Sequence, residues 1–239
     1  MKKLLICGLT FALFTSKLLA DDFFYAGNFE SMINTGDVSG KIKLSQLKQK
    51  SGYWGLGALA GLNGEIIQIN GKLLVSYGNK TNVTNSFGTN ESATLWMSEK
   101  VSKWQNIKIT KNMDSEQFEQ FVEQSALKNK IDLNKPFAFR VTGKYRNLSW
   151  HIVSGVHHHK TINTSEEEHN NHMANLRVFD QANASGELIG FYSGDKLAGV
   201  ISHVDEKYHL HYINESETIS GHVDDYSIES GSILWLPAK

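Results

Sequence analysis

The chain has 239 residues, enough for one sizeable domain or two small ones, and its 40% hydrophobic content supplies an ample core. With 24 Lys and Arg against 25 Asp and Glu, the formal charge of −1 argues against nucleic acid or an anionic membrane surface as the main partner. The only cysteine, Cys7, falls in the N-terminal apolar run, so the remaining chain has no disulfide and no thiolate to offer a metal or a substrate.

Taken in order, Met1-Lys2-Lys3, the apolar run from Leu4 to Phe14 and Leu18-Leu19-Ala20 before Asp21-Asp22 read as a secretory signal peptide over residues 1–20, cleaved near Ala20. The run is too short to span a bilayer, and no small-residue approach to Cys7 marks a lipoprotein. A periplasmic or secreted protein is expected, with no membrane contact after signal removal. Next, Gly52 to Val75 alternates glycines with apolar residues, and Asn70-Gly71 between two apolar strands predicts a hairpin closed by a type I′ turn. Glu65 opens the first of these strands beside Ile66, Ile67 and Ile69. By itself it reads as an ordinary solvent-facing strand residue.

From Ser76 to Lys108 turns alternate with short strands such as Ala93-Thr94-Leu95-Trp96-Met97, which extend the sheet. Asp114-Ser115-Glu116-Gln117 predicts a capped helix start, with Phe118, Phe121, Val122, Ala126 and Leu127 at helical spacing as core. Lys135-Pro136 marks a break, taken as the boundary between two subdomains. Beyond it, Phe137 to His151 is one long alternating strand. Counting by twos places Phe137, Phe139, Val141, Tyr145, Asn147, Ser149 and His151 on one face. The run His157-His158-His159 through His169 and His172 is polar and reads as a solvated loop rather than a metal site.

The pattern with chemistry in it comes last. In Tyr208-His209-Leu210-His211-Tyr212 the two histidines share one strand face, and Gly221-His222-Val223 returns after a polar turn to offer a third imidazole from the neighbouring strand. Three imidazoles with an open fourth position describe a catalytic zinc site; the same donors also suit other divalent ions. The whole predicts an α+β, mostly β fold. Two packed β-rich subdomains, residues 21–135 and 136–239, are expected, with one main helix near residues 115–129 and the metal site on a C-terminal hairpin.

Four stretches, in register over most of the chain, resemble alpha-acetolactate decarboxylase. They are Gly55-Leu56-Gly57 to Glu65-Ile66 with its Asn-Gly hairpin, Phe139-x-Val141-x-Gly143-x-Tyr145, Gly186-Glu187-Leu188-Ile189-Gly190-Phe191-Tyr192, and His209-Leu210-His211-Tyr212-Ile213 to Gly221-His222-Val223. The resemblance implies a zinc enzyme of two-part, largely β fold, often a dimer, that acts on a small 2-hydroxy-3-keto acid: it decarboxylates 2-acetolactate to acetoin. It further implies His209, His211 and His222 as metal ligands and places Glu65 in the active site. Two departures accompany it. His151 stands where the family has an arginine that meets the substrate, so that His151 is the expected proton donor beside Glu65. The chain also stops at Leu236-Pro237-Ala238-Lys239, short of a further glutamate in the family's tail.

Two other readings compete. His209-x-His211-x-x-x-Glu215 has the internal spacing of a first cupin motif, but Glu215 lies among turn residues and no H-x-x-x-N motif follows. A catalytically silent exported protein could keep the metal and the pocket without turnover.

Overall fold

A computed structural model describes residues 22–80, 82–155, 176–203 and 206–238; the signal segment and the His157–His159 run lie outside them. The N-terminal strands are β1 (Phe23–Ala26), β2 (Ile42–Lys43), β3 (Tyr53–Leu59), β4 (Gly64–Ile69), β5 (Lys72–Tyr77) and β6 (Ser92–Lys100). They pair antiparallel in the order β1-β6-β3-β4-β5, with β2 on β6. The β4–β5 connection is the expected two-residue turn. Asn70 and Gly71 take φ of 48° and 89°, the left-handed values that a type I′ turn needs at both central positions.

Alternation along β4 decides where its side chains go. Ile66 packs with Leu44, Leu59, Val75 and Trp96 on one face of the sheet, while Ile67 packs with Leu56, Leu74, Phe191 and Ile213 on the other. Both faces are buried, which is why the strand reads as a continuous apolar run. Glu65 shares the Ile67 side and so is aimed at the second sheet.

That second sheet is built from β7 (Trp104–Lys108), β8 (Met113–Asp114), β9 (Phe137–Val153), β10 (Leu176–Tyr192), β11 (Tyr208–Asn214), β12 (Ser220–Ile228) and β13 (Ile233–Pro237). Its order is β7-β13-β9-β10-β11-β12-β8, and β12 also pairs with β9, so that β9, β10, β11 and β12 close into a ring. Helix α1 (Phe29–Thr35) follows β1, and a longer helix, α2 (Ser115–Lys128), is capped by Asp114, whose side chain accepts the Gln117 N–H at 2.9 Å. Phe118, Val122 and Ala126 join Phe139, Tyr145, Trp150, Leu210, Tyr212 and Tyr226 in one core. The protein is mostly β, in two packed sheets, with a single long helix among the described residues.

Two expectations are corrected. The chain passes from one sheet to the other between Lys100 and Trp104, earlier than Lys135-Pro136. β7 is recruited by β13, at the far end of the chain, and α2 packs on the second sheet. Pro136 interrupts the backbone, but distant strand pairing decides which sheet a segment joins. The face count along β9 also fails. Phe139, Val141 and Tyr145 point into the core, yet so do Leu148, Trp150 and Ile152. Between Tyr145 and Leu148 the pairing with β12 shifts by one residue, which reverses the parity and turns His151 to the other face, toward the first sheet.

The sheets are held face to face partly by Glu99 of β6, which accepts the Ala138 N–H of β9. Burial pushes this carboxyl up to about 7; the Ala138 N–H opposes the shift and Asp22 adds to it. A carboxyl whose folded pKa lies above its unfolded value stabilises the fold fully below the unfolded value, and the contribution is lost as pH rises through the folded one. The contribution of Glu99 to stability should therefore fall between pH 5 and pH 8. Glu99→Gln, which keeps an acceptor and cannot ionise, should remove about 2 kcal/mol of that fall, read from urea unfolding at the two pH values.

Candidate metal centre

β11 and β12 place His211 directly opposite His222, and β12 and β9 place His222 directly opposite His151. Three imidazoles thus stand in one row across three adjacent strands. His209 lies two residues along β11 from His211, on the same side, since Leu210 and Tyr212 go into the ring core. The rows can come this close because Gly221 precedes His222. A Cβ there would lie 2.4 Å from the His151 carbonyl oxygen and 2.5 Å from the Trp150 ring.

The ring centroids of His209, His211 and His222 are separated by 4.8 to 5.5 Å. One nitrogen from each lies within 4.8 Å of the other two, a set that could hold a metal ion. His209 Nδ1 donates to the Ile201 carbonyl at 2.7 Å, which leaves Nε2 as the unprotonated nitrogen, and this atom faces His222 Nδ1 at 3.1 Å. Apart from a weak approach to the Ile66 backbone, neither nitrogen of the fully buried His211 has a hydrogen-bond partner among the described residues. A buried polar group without a partner costs roughly 1–3 kcal/mol, so this arrangement is unfavourable unless another species satisfies it. A cation does so for all three rings at once.

Protonation is consistent with that role. Burial, and after it the neighbouring imidazoles, hold His211 and His222 well below the usual imidazole range. Burial brings His209 down to about 4, against the opposing bond to Ile201. All three are neutral at physiological pH, the form a metal requires. The donor set therefore fits a divalent ion.

Glu65 faces the three histidines from the first sheet. Its Oε2 lies 3.6 Å from His211 Nε2, and its Oε1 accepts the Val153 N–H at 3.4 Å. Burial pushes the carboxyl up to about 7, with the charge of His151 opposing. The solvent-facing reading of this residue is overturned: it is 3% exposed. His151 is also buried, its ring 4.9 Å from that of His222, and its Nδ1 donates to Asp224 Oδ1 at 2.7 Å. Burial disfavours its charged form, but the bond to Asp224 and the charges of Glu65 and Asp224 outweigh this and raise its pKa.

All five residues singled out in the sequence thus lie together between the sheets. Two neighbours were not singled out. Asp224 follows His222 by two positions, and alternation along β12 is the signal that would have found it. His203 stacks on Phe29 with centroids 4.2 Å apart and lies 5.8 Å from the His222 ring. It comes from the segment before β11, where no periodicity points to it.

Comparison with known proteins adds the following. The family model described as alpha-acetolactate decarboxylase matches residues 24–238. The alpha-acetolactate decarboxylase of Lactococcus lactis subsp. cremoris is 24% identical, over 87% of this chain and 77% of its own length. That of Methanosarcina mazei is 25% identical, over 89% and 68%. The crystal structure of alpha-acetolactate decarboxylase from Bacillus subtilis strain 168 superposes with a TM-score of 0.70 at 20% identity, covering 91% of this chain and 86% of that one. This last likeness is one of fold.

Replacing His211 by Ala should abolish stoichiometric metal, measured by elemental analysis after exhaustive dialysis, while far-ultraviolet circular dichroism stays that of a β protein. Full metal occupancy in the variant would exclude the assignment.

Proposed function

The chain belongs to the alpha-acetolactate decarboxylase family of carboxy-lyases, and from that premise we propose that it decarboxylates 2-acetolactate to acetoin with a zinc ion held by His209, His211 and His222. One observation carries the reading: three converging imidazoles lie against the buried carboxyl of Glu65, whose Oε2 is 3.6 Å from His211 Nε2.

The substrate is an anion with a hydroxyl and a keto oxygen on adjacent carbons. When its bond to the carboxylate breaks, carbon dioxide leaves and the electron pair stays behind, delocalised onto the keto oxygen as an enediolate. One proton delivered to carbon then gives acetoin. A divalent ion at the three histidines supplies a Lewis acid for the hydroxyl and keto oxygens. Neutral histidines would hold such an ion without cancelling its charge.

Proton delivery falls to residues of this chain. Glu65 is aimed at His211 from the opposite sheet, and its raised pKa keeps a proton on it near neutral pH. The Val153 N–H fixes the orientation of the carboxyl. His151 is a second proton-bearing group on the same side of the site, held at Nδ1 by Asp224. Packing of Ile67, Phe191, Ile213 and their neighbours closes the space between the sheets, which keeps bulk water from competing as donor.

Export is part of the proposal. The lysines and apolar run before Ala20 support a periplasmic or secreted enzyme. Among the described residues no helix is long and apolar enough to cross a membrane.

Purified protein supplied with zinc and acetolactate should release acetoin faster than the uncatalysed background; a rate equal to background would sink the reading. Glu65→Gln should lower kcat by roughly 100-fold or more at unchanged zinc content, since it removes the proton but not the ligands.

A further inference from the structure

We propose that Asp224 is a positioning residue for this reaction, holding His151 so that its distal ring nitrogen Nε2 is presented to the reacting atoms. The inference rests on the decarboxylase reading above and adds to it a part for a residue that the sequence did not single out.

The first support is backbone geometry. Val223 pairs with Trp150 and Asp225 with Ser149, so Asp224 is an extra residue in β12 with no partner of its own on β9. This is a β-bulge, a device that re-aims one side chain and terminates regular pairing. Asp224 shares the His222 face by alternation, and the bulge leaves it free of a ladder partner, with its carboxylate on His151, whose own face was set by the complementary irregularity between Tyr145 and Leu148. Two separate departures from regular pairing converge on one hydrogen bond of 2.7 Å.

The second support is the division of labour between the ring nitrogens. The carboxylate oxygen can only accept, so Nδ1 carries the hydrogen of that bond. The two nitrogens of an imidazole project from opposite sides of the ring. With Nδ1 committed to Asp224, Nε2 is the nitrogen left free for the reacting atoms, and the His222 ring lies 4.9 Å away. An imidazole held at only one atom, by its Cβ, rotates about two side-chain torsions, and the Asp224 bond removes that freedom. The same logic orders the histidine of a Ser-His-Asp triad, where the acid fixes tautomer and orientation and does not itself react. Among the described residues, the one side-chain bond that ties Asp224 to the site is that to His151 Nδ1.

The test uses the zinc-loaded, full-length mature protein and four variants: Asp224→Asn, Asp224→Glu, His151→Ala and the double Asp224→Asn/His151→Ala. Acetoin formation gives kcat and KM, and zinc content is measured on the same samples. Asparagine is close in size but can donate to Nδ1, which favours the wrong tautomer. Asp224→Asn should lower kcat roughly 10- to 100-fold, with KM within about threefold and zinc unchanged. Asp224→Glu should recover most of the loss. In the His151→Ala background the Asp224→Asn change should have no further effect, because a residue acting only through His151 has nothing left to position. Wild-type kcat in Asp224→Asn, or the same fractional loss in the presence and absence of His151, overturns the proposal while leaving the decarboxylase reading in place. An inactive wild type overturns both, so the two failures are distinct.

Discussion

The arrangement depends above all on β12 lying between β11 and β9 and pairing with both. That double pairing puts His211, His222 and His151 in register across three strands, and it closes the ring whose interior takes Tyr145, Trp150, Leu210, Tyr212 and Tyr226. One set of ladder bonds thereby serves two ends. The residues facing inward supply the apolar burial that stabilises the ring, and those facing outward are forced into a polar cluster. Gly221 is where the constraint is tightest, since β12 crosses the Trp150 ring at a distance that excludes any Cβ. The site is thus a consequence of strand packing, and its geometry is as rigid as the core beneath it.

Burying that cluster has a cost, and the way the cost is met says what the site is for. His209, His211 and Glu65 are each almost wholly buried, at 4%, 0% and 3% exposure. In such surroundings titratable groups give up their charges, and the shifts run accordingly: the imidazoles downward, the carboxyl upward. Neutralisation removes most of the electrostatic penalty but leaves orphaned lone pairs, above all on His211. A purely structural core would have filled these positions with leucine or valine. Elsewhere between the sheets that is the case, as with Ile67, Leu74, Ile189 and Phe191. At the opposite end of the interface Arg140 is handled differently. It pairs with Glu187 and stacks on Trp54, with its guanidinium 4.0 Å from the ring centroid, so its charge is compensated by contacts already in the chain. Among the described residues His211, at the centre of the histidine cluster, has no such compensation.

How much of this could be read from the residues follows from the range of the interactions. Features set by neighbours in sequence were legible: the Asn70-Gly71 turn, the Asp114 cap with its helix, and the shared face of His209 and His211. Features set by distant pairing were not. Nothing between Trp104 and Lys108 announces a partner some 130 positions later, so β7 and α2, expected with the N-terminal strands, join the second sheet instead. Period-2 counting carried His151 to the wrong face because it assumes an unbroken ladder, and one extra residue after Tyr145 inverts it. Glu65 reads as solvent-facing when only its own strand is considered. It becomes a site residue only when the second sheet covers it. The resemblance to a known family supplied what local patterns lacked, while Asp224 and His203 escaped both.

The charge balance of the cluster gives the residue at position 151 its meaning. An arginine there would bring a permanent positive charge to meet an anionic substrate. In this chain the position holds an imidazole bonded to Asp224, and the pair, whichever partner carries the proton, is close to electrically neutral. Glu65 in its protonated form and the three neutral histidines contribute no positive charge either. On the proposed reading, attraction of a carboxylate substrate and stabilisation of the charge left by carbon dioxide would both fall to an ion at His209, His211 and His222. On that reading the His151–Asp224 pair would add direction: an imidazole held at Nδ1 near the buried Glu65 carboxyl. Substrate binding in this protein should accordingly depend more strictly on its metal than in a relative where a guanidinium shares the load.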